Sequence, residues 1–86
     1  MPLRQADRER MPMSETVLDT RGLSCPLPVL RARKAMQKLA PGALVRVLAT
    51  DPGTVKDMQA FCRAAGHELV ESRAQDGEFH FLLRRA

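Results

Sequence analysis

The chain predicts an α/β (α+β) fold, a two-layer sandwich of order βαβαββ in which two helices cover one face of a mixed four-stranded sheet. Three observations carry this expectation. β-rich runs begin near residues 16, 44, 67 and 78, helical periodicity fills the first two gaps between them, and proline or glycine marks most changes of period.

Thr16-Val17-Leu18-Asp19-Thr20 reads as the first strand, ended by Arg21-Gly22, where glycine permits the turn. From Pro26 a helical stripe of Val29, Ala32, Met36 and Leu39 follows, with Pro26 and Pro28 in a first turn that needs no N–H and Pro41-Gly42 as the stop. Leu44 to Ala49 alternates as a strand, Val45, Val47 and Ala49 on one side and Leu44, Arg46 and Leu48 on the other. Thr50-Asp51-Pro52-Gly53 offers a cap and a first-turn proline for a second helix, in which Val55, Met58, Cys62 and Ala65 recur until Gly66. His67–Ser72 and Glu78–Leu83 then form a hairpin through Gln75-Asp76-Gly77, with Phe79, Phe81 and Leu83 inward. The face without helices carries Leu44, Leu48 and Leu82 beside Arg46 and His80, an apolar surface on which a partner could dock.

Eighty-six residues suffice for one domain. Residues 1–15, with Pro2, Pro12 and a charged run from Arg4 to Arg10, read as a flexible N-terminal extension, leaving 16–86 as the folded domain. Three phenylalanines and no Trp or Tyr leave an aliphatic core and few platforms on which bases could stack. Direct nucleic-acid binding is therefore not expected, although a net charge of +4 leaves an acidic partner surface or RNA open. No stretch is long enough to cross a bilayer, no secretory signal is evident, and two cysteines suit a reducing cytoplasm.

Cys25 is the residue with chemistry to offer. Standing just ahead of a helix, it should have its sulfur in the field of unpaired N–H groups that stabilise a thiolate, or equally a persulfide anion. Pro26 and Pro28 stiffen the loop. Cys62 lies on the inward stripe of the second helix and reads as inert, and His67 and His80 read as ordinary surface histidines. No metal-ligand spacing or neighbouring base supports a zinc site or a hydrolase, and no cofactor is called for.

Leu18-Asp19-Thr20-Arg21-Gly22-Leu23-Ser24-Cys25-Pro26-Leu27-Pro28-Val29, with Arg33-Lys34, Pro41-Gly42, Asp51-Pro52 and Phe61-Cys62, resembles the TusA/SirA-like sulfur-carrier family from Leu18 to Arg85. The resemblance implies a sulfurtransferase without its own substrate pocket. In it Cys25 takes sulfane sulfur from a cysteine desulfurase or rhodanese as a persulfide and passes it to an acceptor such as a DsrE-like protein. It also implies that Pro26 and Pro28, with Asp19, Arg21 and Gly22, shape the site, and that Arg31, Arg33 and Lys34 meet an acidic rim on the donor. Transfer RNA thiolation and sulfur oxidation are among the family's uses. A regulatory or RNA-interacting module and a thiol redox sensor are the alternatives that the residues leave open.

Overall fold

A computed structural model describes residues 15–86. β1 (Thr16–Thr20), α1 (Leu27–Gln37), β2 (Leu44–Ala49), α2 (Thr54–Ala65), β3 (Glu68–Gln75) and β4 (Glu78–Arg84) follow in the expected order. The extension read over 1–15 lies outside the described residues except for Glu15, which belongs with the domain: it pairs with Arg46 on β2 at 2.6 Å.

The sheet runs β1-β2-β4-β3. β1 is parallel to β2, with Thr20 opposite Ala49, whereas β4 is antiparallel to both β2 and β3. The strict alternation of β2 puts Val45, Val47 and Ala49 fully inside, and the register sets Leu83 and Phe81 against the first two on the same face. α1 adds Ala32 and Met36 to this core and α2 adds Met58 and Cys62, which completes the two-layer sandwich. Phe81 is the largest fully buried side chain of an otherwise aliphatic core. The hairpin closes through Asp76 and Gly77, both at positive φ (51° and 77°), the backbone that a two-residue turn needs to match strand twist.

Three local expectations are corrected. α1 stops at Gln37 rather than running to Pro41, because the chain is drawn back to the sheet: the Gly42 N–H donates to Arg85 O and the Arg85 N–H to Ala43 O. α2 begins at Thr54 behind Gly53, with no side-chain bond to cap it: Thr50 serves the Gly22 N–H, and Asp51 divides its carboxylate between the Cys25 and Gly53 N–H groups. On α2 the inward place expected of Ala65 belongs to Thr54, which is fully buried while Ala65 is exposed.

The open sheet face carries the expected residues, and Val17, 60% exposed and opposite Arg46, joins them. Leu44, Leu48 and Leu82 are only partly exposed, and Arg46 lies among them holding Glu15 and, at 3.2 Å, Glu71.

Candidate functional site

The parallel pairing of β1 and β2 brings the loops that follow both strands to one edge of the sheet, where open α/β sheets place their sites. The β1–α1 loop is stitched to the β2–α2 loop at two points. The Gly22 N–H donates to Thr50 Oγ1 at 2.9 Å, and the Cys25 N–H donates to Asp51 Oδ2 at 2.8 Å. Gly22 holds φ at 83°, a turn that a side chain would strain. Asp51 also accepts the Gly53 N–H on Oδ1 at 2.9 Å, and these two backbone donors, that of Cys25 first, keep its carboxyl below the usual range.

Asp19 and Arg21 brace the same loop. Arg21 Nε and Nη2 grip the two Asp19 oxygens at 2.9 and 2.8 Å, and Nη1 reaches Glu78 at the start of β4. The Arg21 side chain and then its N–H hold the Asp19 carboxyl down to about 2.

Cys25 is exposed, follows Ser24 in a turn, and is joined to Pro26 by a cis peptide bond. Pro26 is the residue that caps α1, and Pro28 is buried in the first turn. The surroundings of the sulfur overturn one expectation. It does not rest in a field that favours the anion: Sγ donates a hydrogen bond to Asp57 Oδ2 in the first turn of α2. That bond, followed by desolvation and by the charges of Asp57 and Asp51, raises the Cys25 thiol to about 11. With its proton committed to one carboxylate and a second close by, the sulfur rests as a thiol.

Gly53 packs against the sulfur. A Cβ at that position would stand 3.6 Å from Cys25 Sγ and 3.3 Å from Asp51 Oδ1, so glycine keeps the sulfur's flank open. Beside it, Pro26, Val29, Leu30, Arg33, Asp57 and Phe61 line a shallow groove between the helices. Arg31 and Lys34 are exposed on α1 but do not line that groove; Arg33 alone of the three basic candidates does. Leu27 and Leu30, 43% and 50% exposed, flank the site with apolar surface.

Cys62 is buried at 3% exposure, and burial pushes its thiol up to about 11. The histidines are not the free surface side chains the sequence suggests. His67 is half-buried, its Nδ1 accepts the Ala86 N–H at 3.0 Å and its ring lies 5.4 Å from that of Phe61; His80 contacts Glu78. Gly53, Asp57 and Leu30 are the neighbours that sequence reasoning missed. Asp51-Pro52 marks the loop carboxylate, but nothing local links Asp57, on α2, to a cysteine 32 residues away. No described helix is long and apolar enough to cross a membrane.

Residues 16–85 match the family model described as sulfurtransferase TusA. The chain is 49% identical over 69 residues to the sulfur carrier protein TusA of Allochromatium vinosum, covering 80% of this chain and 91% of that one. It is 42% identical over 71 residues to the protein of the same name in Pseudomonas aeruginosa, covering 83% and 90%. The crystal structure of a SirA-like protein from Desulfitobacterium hafniense superposes with a TM-score of 0.74 at 28% identity, covering 80% of this chain and 95% of that one.

Proposed function

The chain belongs to the TusA family of sulfur carriers, and from that premise we propose that Cys25 is the atom of carriage, accepting sulfane sulfur as a persulfide and relaying it to an acceptor cysteine. The observation that carries this reading is the exposed Cys25 sulfur, its backbone tied to Asp51 and its loop braced by Asp19, Arg21, Gly22, Pro26 and Pro28.

Sulfur moves without net oxidation. Cys25, once deprotonated, attacks the outer sulfur of a donor R–S–SH; the donor's S–S bond breaks as the new one forms. The donor leaves as a thiolate that takes up one proton, and the carrier holds Cys25–S–SH. An acceptor thiolate repeats the exchange on that outer sulfur and expels Cys25, which is reprotonated. A cysteine desulfurase or rhodanese as donor and a DsrE-like protein as acceptor fit this chemistry in the cytoplasm, where transfer RNA thiolation or sulfur oxidation would use the sulfur. The groove beside Cys25 suits docking of a protein surface, with Arg33 inside it and Arg31 and Lys34 on the same helix to steer an acidic rim. A redox sensor fits less well, because such cysteines are often poised beside a resolving cysteine, and Cys62, the other cysteine, is buried in the core.

The test is intact-protein mass spectrometry of wild type, Cys25→Ser and Cys62→Ser after incubation with a cysteine desulfurase and cysteine, or a rhodanese and thiosulfate. Wild type and Cys62→Ser gain one sulfur, about 32 Da, reversed by dithiothreitol, and Cys25→Ser does not. Absence of loading in all three proteins with either donor removes the carrier role from Cys25.

A further inference from the structure

The contact between Cys25 and Asp57 raises a question of protonation. A thiolate has no proton to donate, so the hydrogen bond from Sγ to Asp57 Oδ2 exists only while Cys25 is a thiol. Ionising the sulfur in place would set it against the Asp57 carboxylate with Asp51 close behind, two like charges that disfavour the anion.

The two carboxylates differ in freedom. Both oxygens of Asp51 are committed to backbone N–H groups, one of them that of Cys25 itself, so Asp51 is part of the loop's frame. The Asp57 side chain forms no other hydrogen bond or ion pair with a described residue, and it sits half-exposed on the groove. It can leave the sulfur without breaking the fold. The other charged groups around the site are Arg33, which α1 contributes to the groove, and Arg21, which is held by Asp19 and Glu78.

We propose that Asp57 is a positioning residue for sulfur transfer: its carboxylate holds Cys25 as a neutral thiol in the free carrier, and once a docked partner draws that carboxylate away the Sγ proton passes to solvent water and leaves the nucleophilic thiolate. The purpose of the device rests on the carrier reading, although its physical basis does not. A carrier moving between two enzymes passes through a solution of oxidants and electrophiles. A protonated sulfur reacts slowly with both. Because the groove that a partner would occupy is lined by Asp57 itself, docking and activation are one event.

The experiment compares full-length wild type and Asp57→Asn by alkylation with iodoacetamide from about pH 6 to about pH 12, read at the Cys25 peptide by mass spectrometry. Wild type shows a midpoint near its raised value of about 11, and the variant's midpoint moves down toward the ordinary 9.0. A full return to 9.0 multiplies the thiolate fraction near neutral pH about a hundredfold, of which weaker intrinsic nucleophilicity offsets about tenfold; desolvation and the Asp51 charge persist in the variant, so Asp57→Asn reacts several-fold and at most about tenfold faster. Superimposable profiles overturn the inference. So does a wild-type midpoint at or below about 8.5, which decides the matter even if the variant fails to fold. Sulfur loading by a desulfurase separates the two readings: a shifted profile without loading rejects the carrier role alone, and loading with an unshifted profile rejects the role of Asp57 alone.

Discussion

Asp51 holds Cys25 in place from 26 residues away: its Oδ2 accepts the Cys25 N–H at 2.8 Å while its Oδ1 accepts the Gly53 N–H at 2.9 Å. One carboxylate thereby sets the spacing between the sulfur and the start of α2. Asp51→Ala removes both acceptors, and sulfur loading of Cys25 should fall between about tenfold and a hundredfold, the usual consequence of a small misplacement of a reacting atom. Asp51→Asn keeps one acceptor oxygen and should lose less. Initial loading rates with a fixed donor measure the difference, and equal rates for wild type and Asp51→Ala contradict this account.

Gly53 has φ of −64°, a value any residue adopts, so its lack of a side chain is a matter of space. Gly53→Ala should fold normally, with a melting temperature close to wild type, yet load sulfur several-fold more slowly. The added methyl would fill the flank of Sγ at 3.6 Å and press on Asp51 at 3.3 Å. Wild-type loading by this variant would show that incoming sulfur approaches from another side.

Thr54 is fully buried at the start of α2, and its hydroxyl has no hydrogen-bond partner among the described residues. Such an orphan costs roughly 1–3 kcal/mol. Thr54→Val has nearly the same shape without the hydroxyl, and it should gain about 1 kcal/mol, raising the melting temperature by about 4–8 °C in a domain of this size. Calorimetry checks this, and a lower melting temperature would mean that the hydroxyl finds a partner in solution.

The Asp19–Arg21 pair makes a prediction about acid. The Asp19 carboxyl falls from 3.8 to about 2 on folding, so the folded state binds the proton less readily than the unfolded chain. Its contribution to stability is complete above pH 3.8 and is lost as the pH falls through about 2. Both side chains are about half exposed, so solvent screens the pair and the effect is small. Urea midpoints measured through that range should drop further for wild type than for Arg21→Gln, and parallel curves would count against the pair.

Much of this architecture was legible in local pattern. Val45, Val47 and Ala49 announced their own burial through alternation, and Gln75-Asp76-Gly77 announced the hairpin, which closes on the last two of them because β3 runs on to Gln75. The errors fell where a distant partner competed for a residue. Thr50 and Asp51 look like a helix cap until Gly22 and Cys25 arrive to use them, and α1 looks able to reach Pro41 until Arg85 pairs with Gly42 and Ala43.

The sequence by itself determined the order of elements and the inward faces of the strands, because periodicity and turn chemistry are properties of neighbouring residues, and it singled out Cys25 as the cysteine with chemistry to offer. Only the tertiary structure decided the strand order β1-β2-β4-β3 and, with it, the protonation of Cys25. Parallel pairing of β1 with β2 carries Asp51 and Asp57 to the sulfur from 26 and 32 residues away. A charge acts through distance in space, which the order of residues along a chain does not record.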